Sequence, residues 1–168
     1  MPTFDYKFTV DAPRQAVTDF HHDTSVLRKL TPPPVFVQIH DFEPLGEGSR
    51  AEFTMWFGPL PMRWRVIHQD VGPHGFTDVQ VSGPLRHWAH QHQFKALGPE
   101  QTLVHEHIEY AHKSGLRGFF SRLFFNPGAL AALFTARKLL TRYYVARQSG
   151  SDMESGNGGA GQASTSGM

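Results

Sequence analysis

The sequence predicts an α+β domain in which a curved antiparallel sheet of seven strands closes around a long C-terminal helix. Two observations carry that expectation: seven apolar runs at period 2 with short turn-forming separators, and an amphipathic helical pattern at the end of the chain. A sheet and a helix that each have one apolar face bury both by packing together.

Residues 3–10 place Phe4, Tyr6, Phe8 and Val10 on one face, and Asp11-Ala-Pro breaks the strand. Between 13 and 30 the spacing of Ala16, Val17 and Phe20, then Val26, Leu27 and Leu30, is helical with an interruption near 21–24. Two short helices fit this, with Asp23 or Thr24 as N-cap of the second, and Thr31-Pro-Pro-Pro ends them. Strands follow at 35–42, 50–57, 62–70, 76–81, 87–97 and 102–110. Their separators, among them Leu45-Gly-Glu-Gly, Gly58-Pro-Leu-Pro and Gly98-Pro-Glu, are turn chemistry and favour an antiparallel meander. Asn126-Pro127 then supplies a cap and a first-turn proline for a helix running to about Arg147. Its expected buried face holds Ala129, Leu133, Ala136, Leu140, Tyr143 and Tyr144, with Arg137 inside the apolar sector.

The remaining segment, 149–168, contains six Gly, five Ser and no aromatic residue, so the sequence divides into a domain at 1–148 and a disordered Gly/Ser-rich tail. The tail carries two carboxylates and no basic group, leaving 16 basic against 13 acidic residues before it, a charge of +3. A domain so weakly basic is not expected to bind nucleic acid. The absence of cysteine excludes disulfides and thiolate metal sites. With no membrane-length apolar run and no signal-peptide pattern, a cytoplasmic protein is expected.

Histidine is the compositional anomaly: there are 11 in all. If Trp88 and Phe94 point inward, period 2 sends His90 and His92 inward with them. On the next strand Val104, Ile108 and Tyr110 form the buried set, so Glu106 faces in while His105 and His107 face out. Pairing Phe94 with Val104 places His92 opposite Glu106, and pairing Gln80 with Trp88 places Asp78 opposite His90. The result is an inward polar cluster of Asp78, Gln80, His90, His92 and Glu106 among aromatic residues. It can be a satisfied hydrogen-bond network, a device that orients the polar end of a ligand, or a general acid–base pair. No metal is expected, because no H-E-x-x-H or similar signature is present, and no cofactor is expected either. Arg137 can snorkel at the helix edge, or face the interior and pair with Glu106, Asp78 or a ligand anion.

The stretch from Phe76-Thr-Asp-Val-Gln-Val-Ser-Gly-Pro to Trp88-Ala-His-Gln-His-Gln-Phe94 resembles the START-like superfamily, SRPBCC, with the Bet v 1 helix-grip fold. It is similar in particular to bacterial cyclase/dehydrase-type members with the patterns F-x-D-x-Q-x-x-G-P and W-x-H-x-H-x-F. Leu30-Thr-Pro-Pro, Pro61-Met-Arg-Trp64, and Phe134 with Arg137 fit as well. The resemblance implies a fold and a small apolar cavity, and it leaves activity open. The leading expectation is carriage of a small hydrophobic or amphipathic ligand, lipid, isoprenoid or polyketide-like. The alternatives are a cyclase or dehydratase using His90, His92 and Glu106, and an interaction module that assists another enzyme. Expected ligand-binding residues are Trp64, Phe76, Asp78, Gln80, Trp88, His90, His92, Phe94, Glu106, Tyr110, Phe134, Arg137 and Tyr144, with Phe53 and Met55 as further lining candidates. Phe119, Phe120, Phe124 and Phe125, beside Arg117 and Arg122, are expected to form a lid over the cavity mouth that can touch a membrane transiently.

Overall fold

A computed structural model describes residues 1–156 except Thr24. The chain runs β1 (Thr3–Val10), α1 (Arg14–His22), α2 (Val26–Lys29), β2 (Val35–Phe42), β3 (Arg50–Phe57), β4 (Leu60–Gly72), β5 (Gly75–Ser82), β6 (His87–Gly98), β7 (Gln101–Ala111), α3 (Gly115–Phe124) and α4 (Pro127–Gly156). All seven strands form one sheet in the order β1-β7-β6-β5-β4-β3-β2, with every pairing antiparallel. From β2 to β7 it is a meander of hairpins, as the short turns require. Only β1 is out of sequence: it pairs with β7 at one edge, while β2 forms the other. α1 and α2 make the connection between the two edges, and α4 packs against β1 and α1.

Asn126 caps α4 as expected, its Oδ1 accepting the Ala129 backbone N–H at 3.0 Å, with Pro127 at the first helical position. Two features of this helix differ from the sequence reading. It continues to Gly156, past the expected end at Arg147, because no proline intervenes and extending an established helix is cheap. Residues 149–156 are therefore helical in backbone, and the rest of the expected tail, 157–168, lies outside the described residues. The buried face is also wider than expected: Leu130, Phe134, Thr141 and Val145 are its most buried residues, Leu133, Arg137, Leu140 and Tyr144 are half-buried beside them, and Tyr143 is exposed. Thr141 was missed because it reads as polar.

Before α2 the N-cap is Ser25 rather than Asp23, with no side-chain bond across the cap, and the alternative Thr24 lies outside the described residues. The Asp23 carboxylate instead takes the backbone N–H and hydroxyl of Ser25, each at 2.8 Å, and the Lys29 ammonium at 2.7 Å. α3 occupies the segment read as a lid.

The interior forms two apolar clusters. One gathers Phe53, Trp64, Trp88, Ile108, Phe125 and Phe134; the other Phe8, Val17, Phe20, Phe76, Phe94 and Val104. Along β6 the inward positions read Trp88, His90, His92, Phe94, and along β7 they read Ile108, Glu106, Val104. A polar layer therefore separates the two clusters.

Candidate functional site: a histidine–carboxylate layer beside a cavity

Strand register places the cluster. Asp78 stands opposite His90, and His92 opposite Glu106, the pairings expected from the parity of Trp88 and Phe94. The β5–β6 approach depends on Gly75, whose φ of +143° favours glycine and where a Cβ would sit 1.8 Å from the His92 carbonyl oxygen.

Glu106 is the hub. Its carboxylate accepts the His90 Nε2–H at 2.8 Å and lies 2.8 Å from His92 Nδ1. On its other side His92 donates Nε2–H to Asp78 Oδ2 at 3.3 Å, and Asp78 Oδ1 lies 3.3 Å from His68 Nε2. His68 Nδ1 in turn donates to the Ser49 carbonyl at 3.1 Å. Phe76 stacks on His92 with centroids 4.3 Å apart, and the His90 and His92 rings are 4.0 Å apart.

The two central imidazoles are driven in opposite directions. Burial works against a charged His92, but Glu106 and Asp78 outweigh it and push the ring up to about 9. Burial and the neighbouring His92 push His90 down to about 4 against the pull of Glu106. Burial would raise Glu106, yet His92 and His90 hold it well below the usual carboxylate range. Asp78 is likewise lowered, with burial opposed chiefly by His92. At neutral pH the layer thus holds an imidazolium between two carboxylates beside a neutral imidazole.

A cavity of about 120 Å³ opens on this layer, walled by α1, α2, the sheet and α4. Of the expected residues Phe53, Met55, Trp64, Phe76, Asp78, Trp88, His90, His92, Phe134 and Arg137 line it. Five expected residues do not. Glu106 lies behind the two histidines it binds. Gln80 closes the β5–β6 turn, its amide bonding the Leu85 carbonyl at 2.9 Å. Phe94 packs on His21, centroids 4.7 Å apart, Tyr144 stacks on Phe20, and Tyr110 is core.

Residues not anticipated include His21, His22, His68, Phe42 and Leu133. His68 was legible, because it continues the inward parity of Met62, Trp64 and Val66. His21 lay in the helical interruption, where no period applied. Its Nδ1–H donates to the Val17 carbonyl at 2.8 Å, and burial pushes the ring down to about 4, so Nε2 carries a lone pair.

Several polar atoms of this wall are buried without a hydrogen-bond partner: His21 Nε2, His22 Nε2, Trp64 Nε1 and Arg137 Nε. Arg137 forms no ion pair among the described residues, and its guanidinium lies over the Phe134 ring, 5.3 Å from the centroid. Burial lowers it from its ordinary value, with Glu106 and Asp78 opposing at a distance. Of the alternatives for Arg137, a direct pairing with Glu106 or Asp78 is absent among the described residues, and the side chain faces the cavity.

The lid segment divides differently from the expectation. Phe119 and Phe120 are exposed with Leu116 and Leu123, whereas Phe125 is buried and lines the cavity, and Phe124 packs on Phe57 with centroids 4.5 Å apart. On a helix these positions cannot all share one side. No described helix is long and apolar enough to cross a membrane.

No protein-family model matches the chain, and no curated protein matches it. Solved structures do. The Zhui aromatase/cyclase of a Streptomyces species superposes with a TM-score of 0.71 at 15% identity, covering 88% of this chain and 94% of that one. A START superfamily protein of Mycobacterium smegmatis gives 0.66 at 11% identity, covering 87% and 98%. Norcoclaurine synthase of Thalictrum flavum, solved with dopamine and hydroxybenzaldehyde, gives 0.61 at 16% identity, covering 83% and 85%. Identities this low speak to architecture alone, and on that architecture the chain has the Bet v 1-like/START helix-grip fold.

Proposed function

We propose that this chain binds a small, largely apolar molecule carrying an oxygen function in the cavity between sheet and α4, as a member of the cyclase/dehydrase-like branch of START-like proteins. The observation that carries the reading is the set of unpartnered polar atoms in an apolar wall, above all Arg137 Nε and Trp64 Nε1 as donors and His21 Nε2 as acceptor. A buried polar atom without a partner costs about 1–3 kcal/mol, and a ligand oxygen relieves that cost. The cavity admits a molecule of about one ring, since an apolar cavity of roughly 150 Å³ takes benzene. The single-ring compounds held by norcoclaurine synthase are of this size class. A lipid, isoprenoid or polyketide requires the α1–α2 wall to move away from the sheet and α4. The exposed face of α3, with Leu116, Phe119, Phe120 and Leu123 beside Arg122, suits delivery of such a ligand from a lipid surface.

Native mass spectrometry of the freshly purified protein, followed by organic extraction, tests for a bound molecule. Titration with phenols, benzaldehydes and benzoates then compares the wild type with Arg137→Met, which keeps the aliphatic stem. Loss of a hydrogen bond to a charged group predicts affinity weaker by about 10- to 100-fold at unchanged or higher melting temperature. Equal affinity in the two proteins would remove Arg137 from the site, and absence of binding by every probe and extract would end the proposal.

A second reading, a cyclase- or dehydratase-like activity, is favoured by the opposed shifts of His90 and His92. Neighbouring groups pushed to about 4 and about 9 leave a base and an acid side by side at neutral pH. Turnover of a ring-forming or dehydrating substrate that is lost in His90→Gln while binding persists would select this reading over simple carriage.

A further inference from the structure

We propose that the outer face of the sheet binds one divalent transition-metal ion of the zinc, cobalt, nickel or copper kind through Asp5, His105 and His107. This face points away from the cavity, and the inference stands independently of the ligand reading.

The backbone ladder assembles the three donors. His105 and His107 lie two apart on β7 and so share one face, and Asp5 on β1 is the register partner of His107. His105 Nε2 lies 2.7 Å and His107 Nδ1 2.9 Å from the same oxygen, Asp5 Oδ1, and the three atoms fall within 4.8 Å of one another. An ion with bonds of about 2.0–2.2 Å draws its ligand atoms to roughly 3 Å apart, so small side-chain rotations convert this array into a coordination triad. Two imidazoles and one carboxylate match the borderline-soft ions and not magnesium or calcium.

The second observation is the support behind each ring. Gln93 Oε1 accepts the outer nitrogen of His105, Nδ1, at 3.2 Å, and Gln91 Oε1 fixes the Gln93 amide through its Nε2 at 2.7 Å. Glu109 Oε1 lies 3.6 Å from the outer nitrogen of His107, Nε2. His105 thus has its outer nitrogen held by an amide oxygen, His107 has a carboxylate near its outer nitrogen, and both rings turn their inner nitrogen toward Asp5. That is the arrangement by which proteins fix the tautomer and orientation of metal-binding histidines. To bind an ion each ring presents the lone pair of its inner nitrogen and carries its single ring proton on the outer one, the tautomer that Gln93 Oε1 favours for His105 by accepting from Nδ1; the ion then replaces the hydrogen bonds to Asp5. The side chains are 22%, 28% and 50% exposed for His105, His107 and Asp5, so the ion has an open entry path and room for water ligands.

The inner grouping of Asp78, His90 and His92 also meets the distance condition, but both of its rings are bound to Glu106. Its donors serve an internal network that the outer triad lacks.

The test is calorimetric titration of the full, tag-free, chelator-treated chain with zinc chloride, paralleled by the visible absorption of added cobalt(II). One ion per chain is expected. Affinity should fall by more than tenfold in H105A and H107A, and by about 10-fold or more in D5N and in Q93A, which alters only the support. Zinc should also raise the melting temperature of the wild type and not of H105A/H107A, because it ties β1 to β7. These side chains are on the solvent side, so the variants keep the metal-free circular dichroism spectrum and melting temperature of the wild type. Absence of binding would overturn the proposal, and so would undiminished binding by H105A/H107A, which would move the ion elsewhere.

Discussion

Glu106 shows why the histidine layer is structural whatever else it does. It is 3% exposed, and two imidazoles compensate its charge. Replacing His92 by alanine leaves the buried Glu106 and the half-buried Asp78 without their imidazolium, a loss of about 3–5 kcal/mol by analogy with other broken buried pairs. His92→Ala is therefore expected to lower the urea midpoint sharply, and a midpoint within error of the wild type would show that the carboxylates find other partners. The pH dependence has a definite sign. His92 is raised from 6.5 to about 9, so its stabilisation is complete below 6.5 and fades as pH rises through 9. His90 and His21 are lowered to about 4, so unfolding gains protons below 6.5 and stability falls toward pH 4. Melting temperature should peak near pH 6–7 and drop by several degrees by pH 9.5, a drop that Glu106→Gln should reduce. A flat profile between pH 6.5 and 9.5 would contradict the imidazolium. The inward parity of these residues was legible because Trp88 and Phe94 anchor it, and a slip of one residue would have reversed every side chain. Arg137's isolation was not legible, because spacing locates a side chain on a face without saying whether it reaches a partner.

Strands were read more closely than helices, and the reason is physical. A period of 2 between glycine- and proline-rich turns leaves little freedom, so β1, β2 and β3 begin and end where expected, and β4 to β7 differ by one or two residues. On α4 the expected Leu133, Leu140 and Tyr144 do pack against the core, while Tyr143 is exposed and the buried Thr141 was missed because a spacing argument counts threonine as polar. Within the sheet, Gly75 is the element most sensitive to change: Gly75→Ala meets both the φ penalty and the His92 carbonyl and should cost about 2 kcal/mol or more. Denaturant melts of that variant provide the measurement, and an unchanged midpoint would mean that β5 and β6 can separate at this point without loss. For α3, replacing Leu116 and Phe119 with glutamate should leave the melting temperature unchanged while abolishing flotation with phosphatidylglycerol vesicles. Equal flotation of variant and wild type would remove the lipid-surface role.

At the scale of the molecule, the sequence divided the chain at Gln148, and we propose that the domain is complete without 149–168. Truncation there should shift the melting temperature by no more than a degree or two, because the removed residues offer little apolar surface. A fall of several degrees would show that the end of α4 contributes to the core. The helix-grip architecture was visible in element order alone, since a meander followed by one long amphipathic helix leaves few other ways to bury both apolar faces.

The out-of-sequence position of β1 has a consequence for how the protein is made. Phe8 pairs with Val104 and Phe4 with Ile108, so β1 leaves the ribosome with its partner strand about a hundred residues behind it. At about 5–20 residues per second, that is roughly 5–20 s during which β1 is without its partner strand. For that interval Phe4, Tyr6, Phe8 and Val10 form an apolar, alternating segment with no partner, while the hairpins from β2 onward can already close. Of the strands in this sheet β1 thus waits longest for its partner during synthesis, and it can dock only once β7 has emerged.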